Sequence, residues 1–169
     1  MSARPIALSL IFVVLAVLIQ TTLFNTVRPF GVGPDVVLLT VIACARWMEP
    51  EPGVLLGFTG GLMIDLFGSA PLGLQALSFT LVAYATVRTR DRFDYSALST
   101  GLAVGLLTLV GVVLVAVVGT LFGQGTLGSP DILKTFLLLP IYNIVLGLAV
   151  LPMVASYLGT RSPAGELQL

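Results

Sequence analysis

The stretch Gly53-Val-Leu-Leu-Gly57-Phe-Thr-Gly-Gly61-Leu-Met-Ile-Asp65-Leu-Phe-Gly68 decides how this chain is read. It is apolar enough for a membrane, yet it carries a carboxylate. A charge at the centre of a membrane helix costs about 3 kcal/mol or more. Such a residue therefore needs a partner, a water path or a capping role. Gly53, Gly57 and Gly61 precede Asp65 at four-residue steps. That spacing places all four on one slowly drifting helix face, where another helix can approach closely.

The rest of the chain agrees with a membrane setting. It has 169 residues, 57% of them hydrophobic and 9% charged, with mean hydropathy +1.07. Soluble domains carry about 25% charged residues. The whole chain, residues 1–169, reads as a single integral membrane domain with no soluble linker. Formal net charge is zero, so nothing points to a nucleic-acid partner.

A bilayer core about 30 Å thick needs about 20 apolar residues per helix. On that basis the chain divides into six helices. They run from Pro5 to Phe24, Pro34 to Met48, Gly53 to Phe67, Pro71 to Val87, Ala97 to Phe122 and Ile132 to Leu158. The first is read as a retained helix rather than a signal peptide, because its apolar run is too long and ends in Gln20-Thr-Thr. The second and third are short for a full span. Pro34 suits a first helical turn, and Asp35 complements a helix N-terminus.

Six spans put Arg4, Arg46, Arg88, Arg90, Arg92 and Arg161 on one side, with only Arg28 and Lys134 opposite. Positive residues favour the cytoplasm, so both termini are expected there. The Arg88–Asp94 loop is the most charged part of the chain. It serves as a topology signal, an anionic-lipid contact or a docking point. Arg46-Trp47-Met48 reads as an interfacial anchor, since Trp prefers the headgroup level.

Asp65 lies about 18 Å along its helix, one turn before the break Gly68-Ser-Ala-Pro71-Leu-Gly73. Its carboxylate can accept backbone N–H groups of that break or of the fourth helix's N-terminus. It can also pair with Arg28 or Lys134, or couple to protons or cations. The glycine face packs either on a helix of this chain or on a partner's. Gly101-x-x-x-Gly105 repeats the device. Pro140 interrupts hydrogen bonding in the last helix and predicts a bend; Pro152 predicts a second. Tyr142 and Asn143 make that segment the second polar spot. A buried Asn needs a partner worth about 1 kcal/mol, found in internal packing, a cavity or a partner groove.

Catalysis has little to work with. Histidine is absent and Cys44 is the single cysteine, which reads as a small packing residue. Glu49-Pro-Glu51-Pro52 has no metal spacing. There is no Walker loop, no paired intramembrane aspartates and no two-metal carboxylate cluster. No cofactor or metal is expected. A transporter or substrate-binding subunit would need converging polar groups, and Asn143, Tyr142, Gln75 and threonines are the main candidates.

The run Gly57-x-x-x-Gly61-Leu-x-x-Asp65-Leu-Phe-Gly68-x-x-Pro71-Leu-Gly73-Leu-x-Ala76-Leu resembles the signature of MreD, the rod-shape-determining membrane protein family of bacteria. Pro34-Asp35 and Pro140-x-Tyr142-Asn143 resemble the same family. The resemblance implies a non-enzymatic, multi-pass scaffold of the inner membrane, within the machinery that elongates the peptidoglycan wall. Its implied partners are MreC, through a transmembrane helix, with RodA, its transpeptidase and MreB nearby, besides membrane lipid. The family is also similar in fold to the substrate-binding subunits of energy-coupling-factor transporters, which implies a cavity open to one leaflet. The packing or partner residues it implies are Gly57, Gly61, Asp65, Gly68, Pro71, Gly73, Pro140, Tyr142 and Asn143, with Asp35 at a helix start.

Overall fold

The structure, a computed structural model, describes residues 3–24, 29–68, 70–90 and 96–159. Arg28, residues 91–95 of the charged loop and Arg161 lie outside them. Six α-helices follow one another among the described residues, and no strand does. They are α1 (Ala3–Thr22), α2 (Val36–Ala45), α3 (Pro50–Phe67), α4 (Leu74–Thr89), α5 (Ala97–Leu121) and α6 (Ile132–Leu158). Short 3-10 turns at Pro29–Gly31 and Thr126–Gly128 lie in the α1–α2 and α5–α6 connections. Segments of α1 (Arg4–Thr22), α5 (Leu98–Leu121) and α6 (Ile132–Leu158) are long and apolar enough to cross a membrane.

The helix ends differ from the sequence expectation where side chains or proline take over a terminus. The second helix was expected from Pro34 to Met48 but occupies Val36–Ala45. Asp35 is its N-cap, with Oδ1 accepting from the Leu38 N–H at 3.0 Å, so Pro34 falls before the first turn. At its other end, Trp47 and Met48 N–H groups bond back three residues to Cys44 and Ala45, a tight turn that stops the helix. The third helix begins earlier than Gly53, because Pro50 sits in its first turn, where a missing N–H does no harm. The fourth begins at Leu74 rather than Pro71, because Gly73 is left-handed at φ +95°, a conformation that favours glycine.

α2 is the centre of the fold. All ten of its residues are buried, and it touches each of the other five helices. A helix that is apolar all round is stable only when covered all round. Its one hydroxyl, on Thr40, donates to the Val36 carbonyl at 2.8 Å. At about 1.5 Å per residue α2 is about 15 Å long, half a bilayer. Its short length is tolerable because its ends meet protein rather than hydrocarbon. Cys44, the ninth of these ten residues, is buried in the core.

The exterior carries the opposite of a soluble surface. Leu102 and Leu106 of α5, and Val145 and Leu148 of α6, are each about 60% exposed. Such a skin suits lipid. α6 runs as one helix through Pro140 and Pro152.

Leu39 is fully buried in α2. Leu39→Ala is expected to lower unfolding free energy by about 2–5 kcal/mol, through lost burial and the cavity left behind. Denaturation of the purified chain in detergent checks this.

Candidate functional site

Asp65 occupies the last turn of α3 and is only 2% exposed. Its Oδ2 accepts from the Gly73 N–H at 2.9 Å and the Ala76 N–H at 3.1 Å. Its Oδ1 accepts from the Gln75 N–H at 3.0 Å. Three backbone donors at the start of α4 thus converge on one carboxylate. Helix N-termini have unsatisfied N–H groups and a positive dipole end. A carboxylate there makes charge-assisted bonds, which are stronger than neutral ones. The break supplies the geometry. Gly68 ends α3, with its N–H on the Ile64 carbonyl at 3.0 Å. The Pro71 carbonyl accepts from Leu74 N–H at 3.2 Å. Gly73, in its left-handed conformation, turns its own N–H toward Asp65.

The glycine face lies against α4 of the same chain. A Cβ on Gly57 would come within 2.6 Å of the Phe79 carbonyl oxygen and 2.7 Å of the Ala83 Cβ. A Cβ on Gly61 would come within 2.5 Å of the Ala76 Cα. At Gly53 the nearest neighbour would be Val87, at 3.1 Å. The seam therefore pairs Gly53, Gly57 and Gly61 with Val87, Ala83 and Ala76 in antiparallel order, and Asp65 closes its end. Small residues on both sides are what allow the backbones to meet.

Two alternatives that the sequence leaves open are narrowed by the fold. The glycine face was left open between an internal helix and a partner's; α4 fills it, so no partner helix has room there. Lys134 was considered as a partner for Asp65. It bonds instead to Asp131 at 2.8 Å, with both side chains more than 60% exposed. Pairing of Asp65 with Arg28 lies outside the described residues. For proton or cation coupling, no group of three or more His, Cys, Asp or Glu side chains that could hold a metal ion occurs among the described residues.

A second polar cluster gathers at the N-terminus of α2. Asn143 is fully buried. Its Nδ2 donates to the Asp35 carbonyl at 3.1 Å and to Thr108 Oγ1 at 3.2 Å. Tyr142 donates its hydroxyl to the Pro29 carbonyl at 3.2 Å. Pro140 is buried one turn before Asn143. The Val37 N–H donates to Gln20 Oε1 at 2.9 Å. Side chains of α1, α5 and α6 thus serve the N-terminal end of α2. Gln20 was not singled out from sequence. The signal was present, since a glutamine ends an apolar run and needs a partner, but nothing local named the donor.

Between these clusters opens a cavity of about 690 Å³, lined in part by Gln20, Gly33, Gln75 and Thr135. A smaller hollow of about 180 Å³ beside it shares Gln75, Thr135 and Leu139 and reaches Asp35. Gln75 Oε1 and Asn143 Oδ1 are buried without a hydrogen-bond partner.

These features define an all-helical membrane protein whose buried polar side chains hold helix termini and short turns. The family model for the rod shape-determining protein MreD matches residues 3–160, and the chain belongs to that family. No curated protein and no solved structure matches it. The family assigns the chain to rod-shape determination as a structural membrane protein.

Asp65→Asn keeps the shape but replaces one acceptor with a donor facing N–H groups. It is expected to cost about 1.5–3 kcal/mol, the range for hydrogen bonds to a charged group. Gly61→Ala is expected to destabilise by about 1–3 kcal/mol or more through overpacking. Lys134→Gln should stay within about 0.5 kcal/mol. Melting of the three variants in one detergent checks the order.

Proposed function

We propose that this chain is a non-enzymatic scaffold of the bacterial wall-elongation machinery, embedded in the inner membrane by six spans with both termini cytoplasmic. The match to the MreD family over residues 3–160 carries this reading. The geometry supports it, because Asp65, Asp35 and Asn143 are all engaged in holding helix ends. The six-span layout is supported by the covered α2, which needs no lipid-facing length of its own, and by the distribution of arginines.

MreC is the proposed direct partner, through its transmembrane helix, with RodA, its transpeptidase and MreB as further neighbours. The Gly57–Gly61 seam is closed by α4, so the partner helix would meet an apolar outer face. Gly57, Gly61, Gly68, Pro71 and Gly73 then act by setting the α3–α4 hairpin. Pro140, Tyr142 and Asn143 act by setting the outer end of α2.

Two measurements test this. Single cysteines replacing Arg90 and Arg161 are expected to stay shielded from an impermeant thiol reagent added outside, while one replacing Gln124 reacts. Labelling that puts Arg90 and Arg161 on opposite faces contradicts the layout. MreC is expected to co-purify with the intact chain from native membranes, and to be lost with Gly61→Leu together with the fold. Full capture of MreC by a misfolded Gly61→Leu chain counts against the scaffold reading.

The outer cavity favours a second reading, a small ligand-binding or transport subunit. Its volume is ligand-sized, and Gln75, whose side-chain oxygen is buried without a partner, is among the residues that line it. Native mass spectrometry that finds a tightly held small molecule would select this reading.

A further inference from the structure

Around the covered α2, the helices differ in how much bilayer they can span. α3 touches α1 on one side and α4 on the other, and α4 touches α5. The long helices carry exposed apolar residues over most of their length. On α5 these run from Leu98 to Leu121, and on α6 from Leu137 to Tyr157. At about 1.5 Å per residue the two stripes are about 35 and 30 Å tall. Both fit a hydrocarbon core about 30 Å thick, the taller one with some tilt.

The α3–α4 hairpin is shorter, and both of its limits are built into the chain. At one end, Glu49 and Glu51 are exposed at the start of α3. Gly53 lies beside Val87 there, and Arg88 is exposed. The Arg88 Nε donates to the Tyr84 hydroxyl at 3.2 Å, with the guanidinium 5.8 Å from the Tyr84 ring centre. Tyrosine is enriched at headgroup level, and the charges lie beyond the hydrocarbon. At the other end, α3 stops at Gly68 and α4 begins after Gly73. Gly68 and Leu72 are exposed in the turn between them. Irregular backbone is not found against acyl chains, so the hydrocarbon ends at or before this level. From Gly53 to Phe67 is about 22 Å, about 8 Å less than a bilayer core.

Between those limits the face suits lipid. Leu55, Phe58 and Leu66 of α3 and Leu77 and Leu81 of α4 are exposed, and the charged side chain between the limits, Asp65, is buried. We propose that this face takes short-chain phospholipid, so that the bilayer is thinner beside α3–α4 than beside α5–α6. Tilting cannot replace the thinning, because tilt that accommodates α5 shortens α3–α4 further. A membrane helix of ordinary length is the competing occupant. It would leave about 8 Å of its own apolar surface uncovered past the turn, whereas acyl chains adjust their length. The inference rests on the six-span layout, which puts α3 and α4 in the bilayer.

Brominated acyl chains quench a tryptophan on contact. Trp47 is the single tryptophan, so a Trp47→Phe chain can carry one reporter, Leu81→Trp on α4 or Leu106→Trp on α5. Each full-length chain is reconstituted into mixtures of dimyristoleoyl and dierucoyl phosphatidylcholine, with one or the other brominated. At Leu81→Trp the shorter lipid is expected to compete about threefold better than the longer one. At Leu106→Trp that preference should be absent or reversed. Equal preference at the two positions, or a long-chain preference at Leu81→Trp, would overturn the thinning and leave the six spans standing. A Leu81→Trp chain quenched by neither lipid would overturn both, because α4 would then lie outside the bilayer. A photoreactive residue in place of Leu81 in native membranes separates the occupants: a phospholipid adduct supports the proposal, and a protein adduct rejects it.

Discussion

One carboxylate holds the α3–α4 hairpin shut. Asp65 receives the N–H groups of Gly73, Gln75 and Ala76, which no backbone carbonyl within α4 can satisfy at the helix start. An ion and an open helix end are each unfavourable in a membrane. Together they satisfy one another. The bonds also set the register of the seam below, because Asp65 is the fourth member of the series that begins at Gly53. With the carboxylate seated at α4's first turn, Gly61 comes against Ala76 and Gly57 against Ala83.

The same logic recurs at α2. Its N-terminal end is served by Asp35 of its own chain segment, by Gln20 from α1 and by Asn143 from α6. A helix of ten residues can then stand inside a ring of longer ones. Lipid provides no hydrophobic drive between helices, so packing and interhelical hydrogen bonds must organise the bundle. The rod-shape family to which the chain belongs is thus represented by a molecule whose polar side chains are mostly internal fasteners. What is left to meet other molecules is its apolar skin and the cavity lined by Gln20 and Gln75.

Sequence reading reached the hairpin through Asp65, because a carboxylate one turn before a Gly-Pro break has few ways to be satisfied. It did not reach the identity of the facing helix. Ala76 and Ala83 complement the glycines, but an alanine in an apolar run carries no mark of close contact. The centrality of α2 was equally hidden, since ten buried residues and ten lipid-facing residues have the same composition. Gln20 escaped notice because its donor, the Val37 N–H, lies across a connection and only folding brings the two together. Helix starts shifted by three residues where Pro50 took a first turn and Gly73 took a left-handed one. Pairing of Asp65 with Lys134 fitted a count of charges but not the fold, which leaves Lys134 beside Asp131.

Amide hydrogen exchange at Gly73, Gln75 and Ala76, followed in the chain held in lipid nanodiscs, examines the Asp65 contact most directly. Strong protection of all three amides is expected, with loss of that protection in Asp65→Asn while α5 amides stay protected. Rapid exchange at these positions in the parent chain, or protection untouched by removing the charge, would contradict the role given to Asp65.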